Sequence, residues 1–276
     1  MEEKSYYFKP YEELTFTDGF MFYLTMQDKE ICKGVIERLL GIKIKRIEYV
    51  NAEHTMKIDY NAKSIRLDVY AQADDKIYDV EIQTYDENDI GKRLRYYQSV
   101  IDIDCLKKGE YYSELKESII IFISTKDILG KGLPRYTFSN ICHENKSIEL
   151  NDKSLKVIYN LKSDFSSLSE TEKELLNFMS NGNAKSDFTK KIDDKIQKLK
   201  KQESWRRQYM TWEMTMMHER REGIAEGLAQ GIQQGVRDAK IEVACKMLKA
   251  GLSIEQISDF SGFSIDEVRQ LQEKMK

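Results

Sequence analysis

The chain has 276 residues, 41% hydrophobic and 33% charged, with 44 Lys and Arg against 47 Asp and Glu and a formal net charge of -3. That length suits one medium domain with an extension or two small domains, and the charge balance excludes a chain-wide cationic coat for nucleic acid while leaving room for a local basic patch. Only two prolines and 14 glycines, with 11% aromatics including 16 Tyr, exclude collagen-like or linker-dominated structure and allow a real core.

Cys32, Cys105, Cys142 and Cys245 are scattered, with no pair at ligand spacing. Buried or incidental thiols in a reducing compartment are expected rather than a disulfide framework or zinc knuckle. His54, His143 and His218 are too few for a histidine-rich metal site. No apolar run approaches the roughly 18–20 residues that span a bilayer, and Met1-Glu2-Glu3-Lys4 lacks the apolar stretch of a signal peptide. The expected location is cytoplasmic, with no membrane partner.

Three zones follow, with boundaries expected at 1–165, 166–238 and 239–276. In the first, Ile31, Val35, Ile36, Leu39 and Leu40 recur at helical spacing and Gly41 closes that helix. Strand patterns cover Ile44 to Val50, Ile65 to Gln72 and Ile77 to Thr84; a helix runs from about Asp89 to Lys107 and ends at Gly109. Ser118 to Ser124 is a short apolar run typical of a strand buried on both faces, and Leu155 to Leu161 is a further strand. Strands, a crossover helix and a buried strand predict an α/β domain with a mixed sheet.

The second zone is helical with hardly a breaker. Ser169 and Glu172 fit a capping box, and Asn181-Gly182-Asn183 interrupts. From Lys185 to Arg207 nine Lys/Arg face four Asp/Glu, which fits either a solvated helix face or a nucleic-acid contact. Gly223, Gly227, Gly231 and Gly235 recur every four residues, each costing a helix about 1 kcal/mol relative to Ala. The stripe fits close helix pairing, including a homo-oligomer through the C-terminal helices, or a loose exposed helix. In the third zone, Gly251, Ser253 with Gln256, and Ser264 with Glu267 punctuate short helices. Their layout around Gly262 is like a helix-turn-helix, but Asp266 and Glu267 would repel phosphates, favouring a small packing module.

The chemistry concentrates in residues 66–83. Alternation puts Arg66, Asp68, Tyr70 and Gln72 on one face of the first strand, and Asp79, Glu81 and Gln83 on one face of the second. With Asp74-Asp75 as a two-residue turn, Ala73 pairs with Lys76 and Asp68 stands opposite Glu81. Opposed residues have Cβ atoms about 4.5–5.5 Å apart, where like charges destabilise. Two such carboxylates either sit on a solvated face or hold a shared proton or a hard cation such as Mg²⁺ or Mn²⁺. Gln83, on the same face, can hydrogen-bond a water or a phosphate oxygen but supplies neither charge nor a base near pH 7.

Asp68 followed by Glu81-Ile82-Gln83 resembles the PD-(D/E)XK nuclease superfamily. The stretches Phe16-Thr17-Asp18-Gly19-Phe20-Met21-Phe22, Arg66-Leu67-Asp68-Val69, Val80-Glu81-Ile82-Gln83, Arg95-Tyr96-Tyr97-Gln98 and Lys108-Gly109-Glu110-Tyr111-Tyr112 are similar to its recombination-promoting nuclease branch, often described as transposases. Ala244-Cys245-Lys246-Met247-Leu248 through Ile265-Asp266-Glu267-Val268 also resembles the C-termini of that branch.

The resemblance implies a restriction-endonuclease-like mixed-sheet core flanked by helices, with a long helical C-terminal tail. It further implies a metal-dependent DNA endonuclease linked to recombination or mobile elements, with Mg²⁺ or Mn²⁺ on Asp68 and Glu81 and with DNA as partner. Gln83 takes the place of the superfamily lysine, as is common in this branch, so positive charge would come from Arg93, Arg95, Lys63 or Arg66. Gln98 either reaches the site or is a helix-surface residue, and Asp18 is either a site residue or a helix cap. Tyr96 and Tyr97 either stack on bases or pack on the sheet. The rival reading is a non-catalytic DNA- or protein-binding protein on a nuclease scaffold.

Overall fold

The computed structural model describes residues 9–56, 65–83 and 89–274, and the chain divides into two compact units, Met1–Tyr209 and Met210–Lys276. In the first, α1 (Gly19–Met26) and α2 (Lys29–Leu40) precede the strands. The Asp28 carboxylate caps α2 by accepting from the Glu30 and Ile31 amides, and Gly41 ends it at φ 65°. Then come β1 (Ile47–Met56), β2 (Ile65–Ala73), β3 (Lys76–Gln83), α3 (Ile90–Cys105), β4 (Glu117–Ser124), β5 (Arg135–Phe138) and β6 (Ser154–Asn160). They form a mixed sheet of order β1-β2-β3-β4-β6-β5, antiparallel at both edges and parallel through β3-β4-β6. The parallel centre requires a crossover, which α3 supplies.

The expected hairpin forms in the expected register. Asp74 and Asp75, at φ 48° and 62°, make the two-residue turn, and Ala73 pairs with Lys76. Left-handed values at both central positions match the right-handed strand twist, and Asp tolerates them. The first strand differs from expectation: it begins at Ile47 and runs to Met56, while Ile44 is buried in the preceding loop.

Helices cover both faces of the sheet. On one, Tyr70, Ile77, Ile120, Phe122 and Ile158 pack with Leu94, Tyr97, Val100 and Ile101 of α3. On the other, the Tyr159 hydroxyl donates to the Leu39 carbonyl and reaches Glu172, tying β6 to α2 and α4 (Glu170–Asn181). The expected capping box of Ser169 and Glu172 is present, and Glu172 also pairs with Arg135 at 2.7 Å. α5 (Asp187–Lys200) buries Ile192, Ile196 and Leu199. Its basic side is partly used internally: Lys195 pairs with Asp28 and Lys200 donates to the Glu12 carbonyl, while Lys190, Lys191 and Lys198 stay exposed.

α6 (Glu203–Lys249) is one continuous helix. Within the second unit, Gly223, Gly227, Gly231 and Gly235 lie in it with open space where a Cβ would be, beside exposed Ile224, Leu228, Ile232 and Val236. Its end packs with α7 (Ile254–Ser261) and α8 (Ile265–Lys274) around Ala244, Ile257 and Val268. Gly251 and Gly262, at φ 84° and 73°, make the turns, and Ser253–Gln256 and Ser264–Glu267 bond reciprocally as expected. Among the described residues no helix is long and apolar enough to cross a membrane.

Candidate active site

Hairpin register brings Asp68 and Glu81 together where the β2–β3 ladder opens. Pairing runs from Ala73 and Lys76 as far as Val69 and Val80. Beyond it the two carboxylates replace the backbone partners: the Asp68 amide donates to Glu81 Oε1 at 2.8 Å, and the Ile82 amide donates to Asp68 Oδ2 at 3.1 Å. Each acid is thus fixed by the strand that carries the other. A carboxylate accepting from a backbone amide is held in position.

α3 closes over this face and buries Asp79 and Glu81, while Asp68 stays half-buried. Glu81 and Gln83 are each 1% exposed and Asp79 is 0% exposed. Of the four cations considered from sequence, α3 brings Arg93. It donates to Gln83 Oε1 at 2.8 Å, to Glu81 Oε2 at 3.3 Å and to the Tyr97 hydroxyl at 2.9 Å, with its guanidinium 5.0 Å from the centres of the Tyr97 and Phe122 rings. Arg95 instead lines a cleft of about 680 Å³ beside Gln98. Lys63 and the side chain of Arg66 lie outside the described residues.

Other candidates settle elsewhere. Gln98 donates to Asp102 (2.9 Å) and Ser118 (2.5 Å) and accepts from Ser154 (2.9 Å), a polar network along that separate cleft. Tyr97 is core, and Tyr96 packs against the same cluster. Asp18 makes no side-chain cap on α1; its carboxylate accepts from the Thr15 amide and hydroxyl and pairs with Lys9.

Asp79 is the feature that sequence reasoning passed over. Neither of its oxygens has a hydrogen-bond donor, and its contact with Glu81 becomes a hydrogen bond only when one of the two carries a proton. Burial pushes both carboxyls well up from the usual range. For Glu81 the charges of Asp79 and Asp68 add to the rise, against the Asp68 amide and Arg93. Burial and the nearby Glu81 charge raise the Tyr97 hydroxyl as well.

Among the described residues no three His, Cys, Asp or Glu side chains gather around a common point. An oxygen-only pair is nevertheless the donor set of Mg²⁺, which is commonly held by one or two carboxylates and completes its shell with water and phosphate oxygens. The two orphaned oxygens of buried Asp79, beside Glu81, fit a cation at this face.

A mixed sheet between helical layers, with an Asp on one strand and Glu-x-Gln on the next, defines a restriction-endonuclease-like protein. The model of the PD-(D/E)XK nuclease family transposases matches residues 20–227, and the chain belongs to that family. Its role is accordingly related to nuclease and transposase chemistry. No curated protein and no solved structure gives a significant match.

Proposed function

We propose that the protein is a metal-dependent DNA endonuclease in which Asp68 and Glu81 hold Mg²⁺ or Mn²⁺ and Gln83 with Arg93 receives the phosphate. The reading is carried by the reciprocal bonding of Asp68 and Glu81 at the opening of the ladder. Rigid placement of two acids by opposite strands is what an ion site needs, because ligands that are already ordered lose little freedom on binding. A bound divalent ion would lower the pKa of a water and stabilise charge on the phosphodiester.

The chain's own residues do the remaining work. Gln83, buried and held by Arg93, presents an oriented amide to water or to a phosphate oxygen. Arg93 places a permanent positive charge beside that amide, where the superfamily has a lysine. Its planar fork suits phosphate, and its stacking on two rings keeps it oriented. Tyr97, Phe122 and the α3 face exclude water from the inner side of the site, strengthening each of these interactions.

Plasmid cleavage with Mg²⁺ or Mn²⁺ is the test. Wild type should nick or linearise DNA, and Asp68→Ala and Glu81→Ala should not; cleavage at full rate by both variants would defeat the assignment. The rival, a non-catalytic binding protein, is favoured by one observation: both Glu81 oxygens have donors, from the Asp68 amide and Arg93. It predicts salt-sensitive DNA binding without metal and without cleavage. Self-association through the glycine-spaced part of α6 and a cytoplasmic location are further parts of the proposal. An oligomer unchanged on sedimentation after deletion of residues 205–276 would remove the first.

A further inference from the structure

The cleft of about 680 Å³ beside α3 takes no part in the site already described. Helical spacing sets the two apart: Arg93 and Tyr97 turn toward Glu81, whereas Gly91, Arg95, Gln98 and Asp102 line the cleft on the opposite flank of the helix. Its floor is the same sheet face, two strands over. Lys156 of β6 is in register with Ile120 of β4, and Ile120 with Asp79 of β3. Two strand spacings across and two rises along therefore put the Lys156 and Glu81 backbones about 12 Å apart.

The lining combines three chemistries that few ligands match together. Leu94, Leu115, Leu129 and Ile158 make an apolar wall, and Phe138 adds a ring that is 45% exposed. Arg95, Lys116 and Lys156 bring cations, and Asp102 and Asp152 bring acceptors. Between them the Gln98 amide is fixed: it donates to Asp102 at 2.9 Å and to Ser118 at 2.5 Å, and it accepts from Ser154, to which Lys156 also donates. Lys156 keeps two further protons and Asp102 further lone pairs for a ligand.

A bare phosphate would leave the apolar wall unused. A fatty acyl chain would cover the amide and the acids without giving them partners. A nucleotide uses all three chemistries: a ring for the wall and Phe138, a base edge of mixed donors and acceptors for the amide and acids, and a phosphate for the cations. Bases in a duplex are stacked and paired, so only an unpaired nucleotide enters a cleft of this kind.

We propose that this cleft is a nucleotide-binding site holding one unpaired nucleotide of a DNA strand, with its base on the apolar wall and Phe138 and its phosphate on Arg95 and Lys156. A strand is preferred to a free nucleotide because the acid site lies on the same sheet face. The separation of about 12 Å equals three to four nucleotides of one strand at about 3.4 Å each, so a single strand can occupy both. Only this choice of occupant rests on the reading that the acid site acts on DNA.

The test is fluorescence anisotropy of the full chain with a short labelled single strand, in chelator, where metal-dependent cleavage is silent. The strand should bind, and the same strand built of abasic residues should bind about tenfold more weakly or worse. Gly91→Leu extends a side chain from a lining position with open space around the Cβ, so it should melt no lower than wild type. It should nevertheless weaken the intact strand about tenfold and leave the abasic strand unchanged. Phe138→Ala, at an exposed position, should do the same and makes the comparison alone if Gly91→Leu melts lower. Thymidine monophosphate should displace the strand, and inorganic phosphate at the same concentration should not. Equal binding of intact and abasic strands, unchanged affinity in both variants, or equal displacement by inorganic phosphate overturns the inference. Binding of thymidine monophosphate without binding of the strand overturns the strand as occupant. If wild type fails to cut plasmid while these differences hold, the endonuclease reading falls and the nucleotide site stands.

Discussion

Arg93→Met separates the ion from the pair that surrounds it. Met keeps the stem that packs near Tyr97 and Phe122 and removes the guanidinium that bonds Gln83, Glu81 and the Tyr97 hydroxyl. Removing one partner of a buried ion pair leaves an uncompensated charge and costs about 3–5 kcal/mol. The lower end applies here, because the Arg93 side chain is 20% exposed and its bond to Glu81 is long, at 3.3 Å. For a unit of this size about 3 kcal/mol corresponds to roughly 6–12 °C in melting temperature. In chelator that drop should appear in full. In saturating Mn²⁺ it should shrink by half or more, because the ion supplies the positive charge that Met lacks. Mn²⁺ should also bind the variant about tenfold more tightly, since Arg93 no longer competes at Glu81 Oε2. Cleavage should nevertheless fall about a hundredfold, the usual cost of losing one charged donor in an active site. Equal drops with and without Mn²⁺, together with unchanged affinity, would refute the reasoning.

Three further outcomes are expected. Burial holds the Asp102 carboxyl above its usual range, against the Gln98 amide bond and the charge of Lys156. The native state therefore keeps that proton more tightly than the unfolded chain does, and this contribution to stability declines as pH rises from about 4; melting temperatures across pH 4–7 should fall less steeply in Asp102→Asn than in wild type. Gly34→Ala would set a Cβ 2.2 Å from Phe188 Cε2, displacing the ring on which Arg38 stacks at 3.6 Å, and should cost about 1–3 kcal/mol in denaturant unfolding. Gly227→Ala meets open space in a continuous exposed helix, so it should stabilise α6 by up to about 1 kcal/mol and raise helical circular dichroism on heating. A loss instead would show that the missing Cβ is needed for a close approach.

The hairpin was legible in the sequence because its turn chemistry and its alternation agree: Asp74-Asp75 and the apolar rows give one register, and that register alone brings Asp68 to Glu81. The strand β5 was not legible. Arg135–Phe138 is four residues long, follows Pro134 and buries only Tyr136, so it has too little periodicity to be seen. Arg93 and Arg95 are both on α3; the rotation of that helix about its axis, set by Leu94, Tyr97 and Ile101 in the core, turns Arg93 to Glu81 and Arg95 to the separate cleft. Alternation also placed Asp79 beside Glu81, but only the packing of α3 over the sheet makes it buried and unsatisfied. Burial of a polar residue is a tertiary property. A run such as Tyr78-Asp79-Val80-Glu81 reads the same whether water or a helix lies above it.

The tight β2–β3 turn makes the tip of the hairpin the least forgiving place in the first unit for an added or lost residue. Slipping β3 by one position would carry Asp79, Glu81 and Gln83 through the sheet to the side facing α2 and α4, exchanging acids for Tyr78 and Val80 on both sides at once. Natural length variation and domain insertions should therefore collect in the exposed stretch between β5 and β6 and spare Asp74-Asp75, although both are surface loops.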